Sequence, residues 1–200
     1  ILMKKKIAII GSGIAGTILS NELSNSLKNI LIIECGNKKL NDYYQTFYKG
    51  NITKNSLNHG ALDKYRNIIL GGTSSSWGGA ICPLDKSDFE KKDYDGETYW
   101  PFEKSFLEKY YDLAGKYFEM HNNIFNTSDI SKFSIFKNKT SKLKNFSNNI
   151  LIRKYGKSTN FSKYLNNKNI NISLNSKVID FSIKNNSIKN VVTYNYELEK

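Results

Sequence analysis

The residues best suited to chemistry near the start of the chain are three glycines in the string Gly11-Ser12-Gly13-Ile14-Ala15-Gly16, followed by a carboxylate at Glu34. Gly11 allows a tight turn, Gly13 allows close approach to a diphosphate, and Gly16 allows a helix to pack near a strand. Unpaired N–H groups at a helix start attract that diphosphate. Glu34 is suited to accept hydrogen bonds from ribose hydroxyls and would repel a 2′-phosphate. The string therefore predicts a dinucleotide site that disfavours NADP and leaves FAD and NAD open.

The elements needed to position this string are present around it. Ile7-Ala8-Ile9-Ile10 is typical of a buried parallel strand, and Ile30-Leu31-Ile32-Ile33 predicts a second one that ends at Glu34. Between them, apolar residues recur at helical spacing, at Ile14, Ile18, Leu19, Leu23 and Leu27. The pattern predicts a β-α-β unit, and so an α/β fold with a parallel sheet.

A second glycine-rich string, Gly71-Gly72-Thr73-Ser74-Ser75-Ser76-Trp77-Gly78-Gly79, allows two interpretations. One is a flexible linker, which Gly and Ser commonly form. The other is a ligand-binding loop whose backbone amides hold an anion. The apolar run at 68–70 and the embedded Trp77 have no use in a linker, but the string alone leaves both interpretations open.

Two later segments complete the prediction of elements. Aromatic and apolar residues at helical spacing predict an amphipathic helix over 106–120, with Ser105 and Glu108 spaced as a capping box. The aromatic stripe of that helix is expected to be core. Further on, the chain has apolar residues at 171–174, 177–181 and 188–194, with a turn at Asn185-Asn186-Ser187.

In this order, the segments resemble the glucose–methanol–choline (GMC) oxidoreductases, which are FAD-dependent enzymes that oxidise alcohols. The resemblance includes Asp88-Phe89 and Trp100-Pro101-Phe102, and residues 165–200 resemble the family's third parallel strand and small β-meander. It implies a Rossmann-like FAD-binding domain with a parallel sheet, a β-meander and part of a substrate or cap domain. The first part of the FAD-binding domain would span residues 3–120, and a variable connection or cap segment would span 121–160. The FAD-binding domain would continue over residues 161–200.

The resemblance also implies which residues hold the cofactor. The glycine-rich loop of the family lies along the FAD, and a family position that touches adenine through its backbone matches Val178. Some relatives attach the flavin covalently through a histidine, where this chain has Ser76, so the FAD is expected to be non-covalent. The candidate cofactor-binding residues are Gly11, Gly13, Ile14, Ala15, Gly16, Glu34, Gly71, Gly72, Thr73, Ser74, Trp77, Gly78 and Val178.

No catalytic residue is predicted in these 200 residues. The family uses a C-terminal histidine as the base, whereas this chain has only His59 and His121, and neither matches that setting. The chain is therefore expected to be the N-terminal part of such an enzyme, without the catalytic portion. It would be a fragment, the product of a truncated gene, or one half of a split enzyme. Its substrate is expected to be a small alcohol, polyol or sugar, and the part alone is expected to be inactive.

Composition and charge exclude further classes of function. The net charge of +12 lies almost wholly in residues 121–200, which carry 14 Lys+Arg against 4 Asp+Glu. Since 28 of the 30 basic residues are lysine and the chain also has 26 Asn and 23 Ile, compositional bias explains the charge better than nucleic-acid binding. No window reaches the roughly 18 apolar residues of a membrane span.

Two cysteines, without a disulfide framework or a metal-ligand spacing, are typical of reduced thiols in a cytoplasmic protein. The alternatives left open are another FAD- or NAD-dependent Rossmann oxidoreductase and a lysine-rich binding module without enzymatic activity. The sequence does not indicate an oligomeric state.

Overall fold

A computed structural model describes residues 7–50, 60–90, 100–120, 154–155 and 159–198. The chain divides into a first unit, Ile1–Trp77 with Thr159–Lys200, and a second unit, Gly78–Ser158. The sequence-based boundary at residue 120 falls inside the second unit. Most of the predicted connection, 121–160, lies outside the described residues, and so do His59 and His121.

A three-stranded parallel sheet forms the centre of the first unit. Its strands are β1 (Ile7–Ile10), β2 (Ile30–Ile33) and β5 (Ile170–Ser173), in the order β1-β2-β5. Each strand pairs in register over four residues, from Ile7 with Ile30 and Ile30 with Ile170 onward. The predictions of a mixed α/β fold and of a parallel sheet are confirmed.

The hydrophobic core lies against this sheet. Ile30 and Ile32 in the central strand are fully buried, and they pack with Ile9, Leu165 and Ile170. Such continuous aliphatic runs are typical of parallel strands, although in β1 Ile9 is buried while Ala8 and Ile10 are exposed. The core therefore fixes the carboxyl ends of β1 and β2, where the candidate loops begin.

The helix between β1 and β2, α1, spans Ile14–Ser24, but its buried face differs from the predicted one. Its fully or nearly fully buried residues are Thr17, Ser20 and Ser24, whereas Leu19 is 51% exposed. The hydroxyl groups donate to backbone carbonyls, as Thr17 Oγ1 does to Ser12 O at 2.7 Å and Ser20 Oγ does to Thr17 O at 2.8 Å. Small, internally bonded side chains allow close packing on this face. The predicted apolar face is confirmed at Leu23 and Leu27, which pack against the core, and was wrong at Leu19.

Short helices follow β2 in a region without a predicted motif. They are α2 (Asp42–Gln45), a 3₁₀ helix (Thr46–Tyr48) and α3 (Leu62–Tyr65). The Gln45 side chain joins them to the next segment: Nε2 donates to Asp63 O at 3.0 Å, and Oε1 accepts from Ile68 N at 2.6 Å. This amide places residues 46–48 beside the segment that leads into the second glycine-rich string.

The first unit ends in a β-hairpin formed by β6 (Ser176–Lys184) and β7 (Ser187–Asn195). Asn185 and Asn186 form its two-residue loop, both with positive φ (51° and 54°), as type I′ turns require. The predicted turn is confirmed. Over the described residues, however, the predicted β-meander is a two-stranded hairpin, with a bulge between Val178 and Asp180.

In the second unit, the strands β3 (Ala80–Ile81) and β4 (Lys154–Tyr155) pair antiparallel. A 3₁₀ helix spans Lys86–Asp88, and helix α4 spans Ser105–Tyr117, ending three residues before its predicted end. The predicted capping box was wrong, since the N-cap of α4 is Lys104 and makes no side-chain hydrogen bond. A capping box occurs instead at Asp85 and Asp88. Among the described residues, no helix combines the length and apolar character needed to cross a membrane.

Candidate functional site

A cavity of about 360 Å³ opens at the carboxyl ends of β1 and β2 in the first unit. Its lining comes from those strand ends, from residues 47–48, from residues 67–73, and from the start of β6. In parallel α/β sheets, ligands bind at this edge. Six of the thirteen candidate residues line the cavity, namely Gly11, Gly13, Glu34, Gly72, Thr73 and Val178.

The first glycine-rich string turns from β1 into α1 at the floor of the cavity. Gly11 has φ +86°, which favours glycine, and its N–H donates to Ile33 O at 2.8 Å, extending the β1–β2 pairing. A Cβ on Gly16 would overlap the carbonyl oxygen of Gly11, whereas a Cβ on Gly13 would meet no atom within 4 Å. Gly16 therefore serves packing, and Gly13 leaves open space where a ligand can approach the backbone.

The N-terminus of α1 presents free donors next to that space. Gly13 is its N-cap, no side chain caps the helix, and the first turn has no acidic residue. The N–H groups of Ile14, Ala15 and Gly16 come first in the helix, where no preceding turn supplies a carbonyl partner. This end of the 11-residue helix is therefore suited to an anion such as a diphosphate.

Glu34 lies at the end of β2 with its carboxylate already held by the protein. Its Oε2 accepts hydrogen bonds from Ser12 N at 2.8 Å and Ser12 Oγ at 2.6 Å, and its Oε1 accepts one from Gly36 N at 2.7 Å. The side chain is 6% exposed and still lines the cavity. Since each carboxylate oxygen accepts about two hydrogen bonds, Oε1 retains capacity for one more donor.

The second glycine-rich string is a folded loop that packs on the first. Gly71 (φ +89°) and Gly72 (φ +59°) introduce a 3₁₀ helix, Gly72–Ser75, and a Cβ on Gly72 would lie 3.0 Å from Gly13 Cα. The Oγ1 of Thr73 accepts from Asn67 N at 3.2 Å. The linker interpretation of this string is wrong, because residues 71–75 have a defined conformation beside the cavity.

Other candidates in the string anchor it instead of facing the cavity. Ser74 Oγ donates to Gly71 O at 2.5 Å and accepts from Phe161 N at 3.0 Å. Trp77 Nε1 donates to Thr159 O at 3.3 Å, and the indole meets the Phe161 ring edge-on. These contacts fasten the loop to the start of the 3₁₀ helix Phe161–Leu165. Gly78 belongs to the second unit.

The remaining wall of the cavity combines β6 with a segment that the sequence did not single out. Val178 lines it together with Ser176 and Lys177, and Phe47 and Tyr48 line it as well. Lys177 Nζ lies 5.1 Å from the centroid of the Phe47 ring, which stacks on Tyr196 at 4.8 Å and 25°. Phe47 and Tyr48 were missed because no periodic pattern or motif marks residues 37–65.

Burial and Glu34 alter the acidity of two further groups on this wall. Desolvation raises the pKa of the Cys35 thiol; the nearby Glu34 adds to this, and Lys177 opposes it. Desolvation and Glu34 likewise raise the pKa of the Tyr48 phenol. Both groups therefore stay neutral at pH 7, and the charged side chains of the lining are Glu34 and Lys177.

Asn67 also lines the cavity and organises the outer part of the second string. Its Nδ2 donates to Ser75 Oγ at 2.9 Å and to Ser76 Oγ at 2.8 Å. Ser76, the position that matches a flavin-bearing histidine in some relatives of the resembled family, is thus held by an amide.

Across the described residues, no group of three or more His, Cys, Asp and Glu side chains could hold a metal ion. Besides the carboxylate of Glu34, the lining contains backbone amides of the glycines, the hydroxyls of Tyr48, Thr73 and Ser176, and the ammonium group of Lys177. Such a set suits a phosphate-bearing organic ligand.

In comparisons with known proteins, no family model matches the chain and no curated protein matches it significantly.

Proposed function

We propose that the first unit binds the ADP half of a dinucleotide, and that this dinucleotide is FAD. The observation that carries the proposal is the meeting of Gly13, Gly72 and Glu34 in one cavity at the carboxyl ends of β1 and β2. The diphosphate lies on the open side of Gly13, at the N-terminus of α1. The ribose lies at Glu34 Oε1, which has a remaining acceptor position, and the adenine lies toward Val178.

Lys177 supports the same placement through its charge. Lys177 lines the cavity and its ammonium group lies over the Phe47 ring, so it adds a positive charge to the lining. A diphosphate carries negative charge that both features attract. The aromatic stack of Phe47 on Tyr196 gives this wall a flat, rigid face.

The wider function that we propose is that of the FAD-binding part of a GMC-type oxidoreductase acting on CH–OH groups of an alcohol, polyol or sugar. The resemblance of the two glycine-rich strings supports it, together with their contact across Gly13 and Gly72. When bound, FAD supplies a two-electron acceptor for hydride transfer. The described residues hold and orient the cofactor, and no catalytic base is assigned among them.

Binding of FAD by the purified chain tests this proposal directly. We expect quenching of flavin fluorescence on titration and competition by ADP, because ADP occupies the same subsites. Acid precipitation is expected to release all flavin into the supernatant, since Ser76 cannot retain it. Absence of any FAD or ADP binding by the folded chain would contradict the proposal.

NAD is the second candidate, because the same observations support binding of the ADP half, which FAD and NAD share. Gly13 and Glu34 do not distinguish the two dinucleotides, and the preference for FAD rests on the second string. Tighter binding of NADH than of FAD in the same titration would favour this candidate. A lysine-rich binding module would instead show polyanion binding that is steeply salt-dependent and unaffected by substitution of Gly13.

A further inference from the structure

Ser12 occupies a variable position of the first glycine-rich string, yet it is fully buried and bonded to two distant segments. Its Oγ lies 2.6 Å from Glu34 Oε2 and 2.9 Å from Gly71 N. The backbone N–H of Gly71 can only donate, so the serine oxygen accepts there and its own proton goes to the carboxylate. The hydroxyl thus joins the carboxylate at the ribose subsite to the start of the second string.

The same serine determines which carboxylate oxygen of Glu34 stays available. Both donors to Oε2 come from Ser12, its N–H at 2.8 Å and its hydroxyl, so this oxygen is saturated. Oε1 accepts one bond, from Gly36 N. Because the carboxylate is fixed on both sides, its one remaining acceptor position is fixed in direction as well.

We propose that Ser12 is a positioning residue for ribose recognition: it aligns Glu34 for one ribose hydroxyl and fixes Gly71 relative to that carboxylate. The proposal rests on the proposed function, since it takes the cavity as the ADP site. Without the hydroxyl, Glu34 Oε2 loses one of its two donors and the Gly71 N–H loses its acceptor. Oε2 then competes with Oε1 for the ribose, and the second string is no longer tied to the first.

The test compares ADP with 2′-deoxy-ADP and 3′-deoxy-ADP on the chain and its Ser12→Ala variant. For the unaltered chain, removal of the ribose hydroxyl that Glu34 binds is expected to weaken binding about tenfold or more, because a hydrogen bond to a charged group contributes about that much to affinity. For Ser12→Ala, we expect weaker ADP binding. We also expect the ratio of the dissociation constants for that deoxy analogue and for ADP to fall to about a third, or less, of its value in the unaltered chain. Isothermal titration calorimetry measures each dissociation constant.

Ser20→Ala is the matched control. Ser20 is also a fully buried serine, and its hydroxyl donates to Thr17 O within α1, away from the cavity lining. A merely structural loss would lower the affinity for all three nucleotides alike in both variants. We expect Ser20→Ala to keep the discrimination of the unaltered chain, even where its thermal stability falls.

Ser12→Cys provides a second variant if Ser12→Ala does not fold, because the thiol is close in size and is only a weak donor and acceptor. Unchanged discrimination in a folded Ser12 variant would overturn the positioning role and leave the ADP site intact. Equal binding of all three nucleotides by the unaltered chain would overturn the role of Glu34 and, with it, that of Ser12. No ADP binding at all would overturn the proposed function itself.

Discussion

Gly72 approaches Gly13 so closely that a Cβ on Gly72 would lie 3.0 Å from Gly13 Cα, although the two residues belong to separate strings. The contact places two glycine-rich turns side by side at one cavity. Side chains at either position would fill the space between a ligand and the amides of the main chain.

Gly13→Ala separates binding from folding. Its Cβ meets no protein atom within 4 Å, and its φ of −62° suits alanine, so we expect a free energy of unfolding within about 0.5 kcal/mol of the unaltered chain. The methyl group would occupy the approach to the α1 N-terminus, and we expect FAD and ADP binding to fall at least tenfold, or by about 1.4 kcal/mol. Fluorescence titration and urea denaturation measure the two effects.

The matched control for this variant is Gly50→Ala. Gly50 is exposed, and a Cβ there would make only an ordinary contact, 3.8 Å from Leu62 Cδ1. Both stability and nucleotide binding are expected to be retained. Full FAD affinity in Gly13→Ala would show that the diphosphate does not approach Gly13.

Gly36→Ala is expected to destabilise the fold. A Cβ there would lie 2.5 Å from Ile69 N and 2.6 Å from Ile68 O, and backbone atoms cannot rotate away. Overpacking of this kind costs about 1–3 kcal/mol, which urea denaturation followed by circular dichroism resolves. An unfolding midpoint equal to that of Gly50→Ala would contradict the close packing of this glycine on residues 68–69.

The two cysteines report on the cavity through their reactivity. Cys35 lines the cavity and its pKa is raised, first by burial and then by Glu34, whereas Cys82 is exposed in the second unit. A raised pKa lowers the thiolate fraction at any pH below it, so we expect iodoacetamide to modify Cys35 more slowly than Cys82 at pH 8. The rate at Cys35 should rise as the pH rises toward that pKa.

Nucleotide provides the internal control for this reaction. Saturating ADP is expected to slow modification of Cys35 further and to leave Cys82 unchanged, as measured by peptide mass spectrometry. Equal protection of both thiols by ADP would indicate a general change in the protein and not occupation of this cavity.

The hairpin turn gives the fourth prediction. Asn186 has φ +54°, a conformation that costs a branched residue roughly 1–2 kcal/mol, so Asn186→Val should lower the free energy of unfolding by about that amount. Asn186→Gly should leave it equal or higher, since glycine adopts positive φ freely. Lys189→Val, placed within β7, is the control and should be neutral or stabilising. Equal stability of the two valine variants would contradict the positive φ at Asn186.

Much of the fold was predictable because its signals are local. The runs Ile7–Ile10 and Ile30–Ile33 were assigned as strands with the bounds that the structure has, and the third parallel strand was predicted one residue later than Ile170–Ser173. Short aliphatic runs between turn residues leave few alternatives to a buried strand. The two asparagines of the hairpin were recognisable because few other residues accept positive φ at both loop positions.

The parts that were missed depend on contacts far apart in the sequence. The role of Ser12 is visible only once Gly71, 59 residues later, donates to its hydroxyl. The burial of Thr17, Ser20 and Ser24 in α1 was missed because their hydroxyls donate to backbone carbonyls, which composition does not reveal. Phe47 reaches the cavity through the Gln45 amide and the stack on Tyr196, and neither leaves a periodic signal.

The order of strands β1-β2-β5 affects how the protein is made. The central strand β2 obtains its second neighbour only when residues 170–173 have been translated, long after β1, α1 and β2 have left the ribosome. Until then the nascent chain carries an aliphatic strand with one bare edge, which invites pairing with another chain. The nascent chain is therefore most exposed to such pairing during that interval, and the cavity, which Ser176, Lys177 and Val178 also line, is completed only at the end of it.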